Sequence, residues 1–262
     1  MDGTPARAIR AAWAAGRPAR NAWLTFPDAH LAEIVAARGV TEAVTLDLQH
    51  GLFDQSAAVH AFRAMSAHGV SPLVRLSGID AAVAGFMLDA GAAGVIAPMV
   101  ETVEQAEALV AACRYPPHGR RSHGPIRAAL GSGDGGFAAA EEAVVFAMVE
   151  TTAGLERCEQ LAAVPGLDGL FIGPGDLGLA MGLGVGQDRD EPKLVAAFGR
   201  ILAACRSAGK RAGIHAASAG YAAKMANEGF DLVTLWVDAV AVGTTLAAAA
   251  ETWAASAAAK PR

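Results

Sequence analysis

Cysteine is scarce in this 262-residue chain, and the three present, Cys113, Cys158 and Cys205, lie far apart. They form neither a paired-thiol metal motif nor a disulfide framework, which fits a reducing cytoplasm and predicts buried, inert thiols. Basic charge is in deficit, 21 Lys and Arg against 26 Asp and Glu. That excludes a basic field for nucleic acid, and an acidic small ligand must find local cations or a metal. The four lysines, Lys193, Lys210, Lys224 and Lys260, fall in helices, before a strand or in the tail, so imine chemistry on a strand-end lysine is excluded. The 53% hydrophobic content is largely alanine, and no run of about 18 apolar residues lacks charge or glycine, which argues against a membrane span. There is no GxGxxG turn after the first strand-like run and no Walker-type glycine loop, so nucleotide folds lose support.

What is present is alternation. Apolar, often β-branched runs occur at Ala22–Phe26, Ala43–Leu48, Pro72–Leu76, Gly94–Val100, Val144–Glu150, Gly169–Ile172, Ala212–His215 and Leu232–Val237. Stretches of helical period, such as Ala29–Arg38, Ser56–His68, Thr102–Arg114, Val195–Ala208 and Ser218–Glu228, separate them. Parallel strands with crossover helices follow, and eight units predict an α/β fold of one domain, a (β/α)8 TIM barrel, with a doubly wound sheet as the alternative. Helices at about 5–16 and about 240–257 are expected to flank it. The N-terminal stretch, with Arg7, Arg10, Arg17 and Arg20 among alanines, resembles a transit peptide, but Ile9, Trp13 and the alanines between form one face of a helix, so it reads as part of the domain. A Gly/Pro-rich excursion, 115–136, sits between the fourth and fifth strands and is either a substrate lid or a surface loop.

In such a barrel the chemistry sits at the C-terminal ends of strands, where Asp47, Gln49, His50, Arg75, Glu150 and Asp176 would converge. Two hard carboxylates with open positions suit Mg²⁺ or Mn²⁺ better than a structural zinc, which wants Cys or several His. Each residue also has a plain reading. Glu150 and Asp176 are candidate helix caps, Arg75 a structural ion pair, His50 a satisfied structural histidine that Asp47 would otherwise orient as a base. His215, His118 and His123 read as structural or surface groups. Gly182, Gly184 and Gly186 look like a turn rather than a phosphate cradle.

The strings Leu46-Asp47-Leu-Gln-His50-Gly, Pro72-Leu-Val-Arg75, Ala97-Pro98-Met99-Val100-Glu101, Arg114-Tyr-Pro-Pro-His-Gly-Arg120, Val149-Glu150-Thr151 and Phe171-Ile-Gly-Pro-Gly-Asp176-Leu, in this order, resemble the HpcH/HpaI aldolase family. The resemblance covers nearly the whole chain. It implies a class II pyruvate aldolase acting on 4-hydroxy-2-oxo acids, with a divalent metal (Mg²⁺ or Mn²⁺, Co²⁺ as a further option) on Glu150 and Asp176. It implies Arg75 on the keto oxygen of pyruvate, His50 in acid/base work directly or through a water, and Asp47 in support. Gln49, Gly173, Pro174 and Gly175 would line the substrate site. Asp89 matches an acid that reaches a neighbouring subunit's site, which implies a homo-oligomer, by precedent a hexamer.

Three departures bear on the donor. Gln49 stands where the family commonly has Glu, Met148 where Gln is common, and Gly175 where alanine is usual. They leave the metal ligands intact and bring a pyruvate analogue such as hydroxypyruvate into view. The competing readings are a citryl- or malyl-CoA-type lyase, disfavoured because only Arg120 and Arg121 cluster, and a non-catalytic barrel that binds a 2-oxo acid.

Overall fold

The computed structural model describes residues 4–130 and 133–258. In chain order the elements are α1 (Arg7–Ala14), β1 (Ala19–Leu24), α2 (Ala29–Ala37), β2 (Ala43–Asp47), α3 (Gln55–Met65), β3 (Ser71–Arg75), α4 (Ala81–Asp89), β4 (Gly94–Ala97), α5 (Val103–Cys113), α6 (Phe137–Glu142), β5 (Val144–Val149), α7 (Thr152–Glu156), α8 (Cys158–Ala162), β6 (Gly169–Ile172), α9 (Pro174–Ala180), α10 (Pro192–Ser207), β7 (Arg211–Ile214), α11 (Ala219–Glu228), β8 (Leu232–Val237) and α12 (Asp238–Ala258). The eight strands are parallel and close in sequence order, β1 pairing with β8. This is the expected (β/α)8 barrel, and the doubly wound alternative falls.

Two apolar layers follow from the two-residue strand period. Outward residues such as Val44, Leu46, Val74, Val95, Val145 and Ile172 pack under the helices, and inward Trp23, Leu73, Ile96, Phe146, Met148 and Phe171 fill the barrel. Amid the inward set Asn21 donates to Thr234 at 3.2 Å and accepts from Thr45 at 3.0 Å, so this polar layer is satisfied without water. α1 plugs the floor: Ile9 and Trp13 are buried, and Trp13 meets Phe146 edge-on at 6.2 Å.

Helix starts are written locally. Asp28, Asp54 and Asp80 accept amide protons from the first turns of α2, α3 and α4, and Thr102 with Gln105 forms a capping box on α5. These caps turn the chain back sharply after the strands, which leaves the strand ends free to carry other side chains. Among the described residues no helix is long and apolar enough to cross a membrane.

Candidate active site

Inward alternation brings Trp23, Asp47, Arg75 and Glu150 to one mouth, where all four are buried. Asp47 is the hub. Arg75 donates to it twice, from Nε at 2.9 Å and by a short bond from Nη2, and Trp23 Nε1 donates at 3.1 Å. The Gln49 and His50 amides donate to the same carboxylate at 2.9 and 3.1 Å. Burial opposes the Asp47 charge, but Arg75 and these donors hold its carboxyl below the ordinary range. Asp47 therefore fixes the turn carrying His50 through the backbone and not through the imidazole; among the described residues the exposed ring has no partner. Arg75 lies 5.1 Å from the Trp23 ring centre, and among the described residues its third nitrogen, Nη1, has no hydrogen-bond partner.

Glu150 faces this pair. It accepts the Met99 amide at 2.7 Å. Burial, and then the Asp176 charge, push its carboxyl up to about 7 against that hydrogen bond. Neither acid serves as a cap. Thr151 caps α7 by accepting from Gly154, and the N-cap of α9 is Gly173, with Asp176 exposed in the first turn and making no cap bond. Glu150 and Asp176, near enough for the Asp176 charge to raise the Glu150 carboxyl, constitute a hard-oxygen donor set, and among the described residues no cluster of three or more His, Cys, Asp or Glu offers a rival metal site. Gly173 makes room for them: a Cβ there would lie 2.5 Å from Glu150 Oε2. The residues present fit a divalent cation.

Sequence reasoning missed two residues here, Met99 and Trp23, and read a third, His215, as structural or surface. Met99 adopts a left-handed backbone, φ 56°, which aims its amide at Glu150; Pro98 before it was the only cue. Trp23 was passed over inside an apolar run, although a buried indole N–H needs an acceptor. His215 stands edge-on to Trp23 at 5.0 Å. Of the substrate-lining candidates, Gly173 and Pro174 are buried and Gly175 half-buried at the start of α9, and Gln49 Oε1 is sealed without a partner among the described residues. Asp89 is not at the mouth. It ends α4 on the outer wall, where Arg121 donates to it by a short bond, beside a cleft lined by Ala81, Gly85, Phe86 and Arg120.

A family model described as HpcH/HpaI aldolase/citrate lyase matches residues 21–252. The chain is 40% identical over 227 residues to a hydroxypyruvate/pyruvate aldolase of Rhizorhabdus wittichii, covering 86% of this chain and 90% of that protein. It is 37% identical to a 4-hydroxy-2-oxovalerate aldolase of Novosphingobium aromaticivorans, with 80% of each covered. Among solved structures, an HpcH/HpaI aldolase/citrate lyase family protein from Burkholderia cenocepacia superposes with a TM-score of 0.83 at 29% identity, over 90% of this chain and 94% of that one.

Proposed function

Because the chain belongs to the HpcH/HpaI aldolase/citrate lyase family, we propose that it is a divalent-metal-dependent aldolase, cleaving 4-hydroxy-2-oxo acids reversibly to pyruvate, or an analogue such as hydroxypyruvate, and an aldehyde. The observation that carries this reading is the Glu150–Asp176 pair, in which burial and the second acid outweigh the pull of Arg75 on Glu150, set beside an Arg75 whose Nε and Nη2 are locked on Asp47. A metal held by the two carboxylates, Mg²⁺ or Mn²⁺ by donor type with Co²⁺ also compatible, supplies Lewis acidity toward a 2-oxo acid.

The chain's own groups do the rest. His50 takes the proton of the 4-hydroxyl, directly or through a water, as the C3–C4 bond breaks and the aldehyde leaves. The bond's electrons end on the 2-oxo oxygen, where Nη1 of Arg75 offers a fixed donor to the growing charge. The protonated His50 then returns that proton to C3, directly or through the same water, which yields the pyruvate methyl and restores the base; run backwards, the same transfer exchanges the methyl protons. Asp47 holds both groups in place, Arg75 by its side chain and His50 by its backbone, while Gln49 and the Gly173–Gly175 turn line the pocket. Proton NMR of pyruvate in deuterated water, with Mn²⁺ or Mg²⁺, tests the scheme: methyl exchange should far outpace metal alone and collapse in His50→Ala. Exchange no faster than metal alone would replace the aldolase with a silent 2-oxo-acid-binding barrel. Arg121 is buried and committed to Asp89, so the CoA-type alternative is left with Arg120 for its phosphates.

Assembly and location belong to the same proposal. Helix α12 leaves the barrel with Val242, Leu246 and Trp253 exposed, at 55%, 70% and 74%, and Leu235 and Trp236 on β8 are only half-buried. A homo-oligomer, a hexamer by family precedent, would cover them and bring Asp89 to a neighbour's mouth. Paired charges at Leu246→Glu and Trp253→Glu should lower the mass seen by light scattering. The buried thiols, with Cys113 and Cys205 pushed up to about 12 by burial, suit a cytoplasmic enzyme.

A further inference from the structure

His215 has no part in the scheme above, yet it is built into the mouth. Its amide donates to Ile172 O at 3.1 Å, which fixes it just past β7. Its ring stands at 87° to the Trp23 indole with centroids 5.0 Å apart, and that indole also donates to Asp47 and lies beneath Arg75. One aromatic side chain thus braces the imidazole and the reactive pair together.

A purely structural histidine in this position would spend its ring nitrogens on protein. Among the described residues neither nitrogen of His215 has a protein partner, and neither is sealed from solvent as Gln49 Oε1 is. Burial, and then the Arg75 charge, push its pKa down to about 4 against Asp47 and Asp188. The ring is therefore neutral at working pH, with one N–H donor and one bare acceptor nitrogen. The loop beside it is pinned. Arg189 donates to the Gly184 carbonyl at 2.5 Å and to Leu183 at 2.6 Å, and Asp188 accepts the Ala217 amide at 2.8 Å. A neutral, pre-positioned donor–acceptor ring suits an alcohol, which both donates and accepts, and has no charge with which to hold a carboxylate or phosphate.

We infer that the His215 ring is a specificity contact that hydrogen-bonds an alcohol of the substrate. The alcohol is either the C3 hydroxyl of a hydroxylated 2-oxo acid donor or a hydroxyl on the aldehyde. The inference rests on the aldolase reading. Its test uses the full-length, Mn²⁺-loaded protein and kcat/KM in two arms: hydroxypyruvate against pyruvate, each with propanal, and lactaldehyde against propanal, each with pyruvate. His215→Phe keeps a ring against Trp23 and removes both nitrogens; His215→Leu serves if the first variant does not fold. The preference for the hydroxylated partner should fall on the order of 10-fold in one arm, naming which partner carries the alcohol, and His215→Gln should restore part of it. General damage to the mouth would depress both members of each pair and leave the ratios alone. Unchanged ratios in both arms from an active variant overturn the assignment by itself. A wild-type protein silent on every pair overturns the aldolase reading and this assignment with it.

Discussion

At the floor of the barrel Asp168 accepts from Arg10 at 3.0 Å, from the Val145 amide at 2.9 Å and from Arg114 at 3.5 Å, while Arg20 closes on Glu42 with bonds of 2.9 and 3.0 Å. Burial opposes the Glu42 charge, yet Arg20 holds that carboxyl below the ordinary range. At the mouth the same residue types are set differently. Glu150 is pushed up to about 7 beside a second acid, His215 down to about 4, and only Asp47 is fully compensated. Floor charges are satisfied by partners from this chain and serve the fold. Mouth charges are left short of partners at a cost in stability, the signature of groups that await a cation or a substrate.

The comparison is broken most severely by removing an acid at the mouth. Glu150→Ala or Asp176→Ala should abolish metal-dependent turnover while far-ultraviolet circular dichroism stays barrel-like; full activity of Glu150→Ala after exhaustive chelation would remove the metal from the scheme. An acid removed from the floor should do the reverse. Asp168→Ala takes the carboxylate from the buried Arg114, which keeps the Ala140 and Ala143 carbonyls at 2.9 and 2.8 Å, and removes the acceptor of the Val145 amide; it should cost about 3 kcal/mol of unfolding free energy, the lower end for breaking a buried ion pair. Urea denaturation reads the loss, and kcat per folded molecule should hold; a large fall in kcat would mean that the two ends are coupled.

Arg75 belongs to both sides of the comparison, since it neutralises Asp47 and, in the proposed scheme, offers Nη1 to the substrate. Lysine can keep the ion pair but lacks the planar fork. Arg75→Lys should therefore lose on the order of 100-fold in kcat, about 2.7 kcal/mol of transition-state stabilisation, with KM for pyruvate less affected. Normal kcat with a raised KM would turn Arg75 into a binding group.

The barrel was legible because apolar strands and helical stretches alternate eight times. Its margins were less so. The first strand was expected at Ala22–Phe26 and runs Ala19–Leu24; Thr234 and Thr45 satisfy the polar Asn21 inside it, and Asp238 takes Thr25 and Phe26 out of the strand by accepting both amides. The fourth was expected to reach Val100 and ends at Ala97, because Pro98 and the left-handed Met99 turn an amide toward Glu150. The buried Asp238, reaching from α12 to the end of β1, had no sequence cue, since its partners lie more than 200 residues away. At the mouth, Glu150 and Asp176 were readable as acids ending apolar runs. Which groups Asp47 would touch was not: its carboxylate was expected on the His50 imidazole and lies on Arg75, Trp23 and two amides instead. His215 read as structural because the edge-on ring of Trp23 comes beside it only once the barrel closes and sets β1 and β7 on either side of β8.

The smallest effect tests whether Glu150 carries the cost that the comparison assigns to the mouth. Its carboxyl titrates near 7 in the folded protein against 4.5 ordinarily. A raised folded pKa means that the unfolded chain gives up this proton first, so the stability tied to the neutral form is complete below about pH 4.5 and lost as pH rises through 7. Glu150→Gln mimics the neutral acid, can still accept the Met99 amide, and cannot ionise. In chelator at pH 8 the variant should be more stable than wild type by about 2 kcal/mol, somewhat under the full linkage value because water reaches the mouth; at pH 4.5 the two should melt together. Adding Mn²⁺ at pH 8 should reverse the order, since the metal stabilises a folded protein that binds it and the variant has lost a charged ligand. Differential scanning calorimetry in the three conditions decides it. A Glu150→Gln protein no more stable than wild type in chelator at pH 8 would show that Glu150 is compensated by its own chain, and the contrast between floor and mouth would rest on Asp176 and His215 alone.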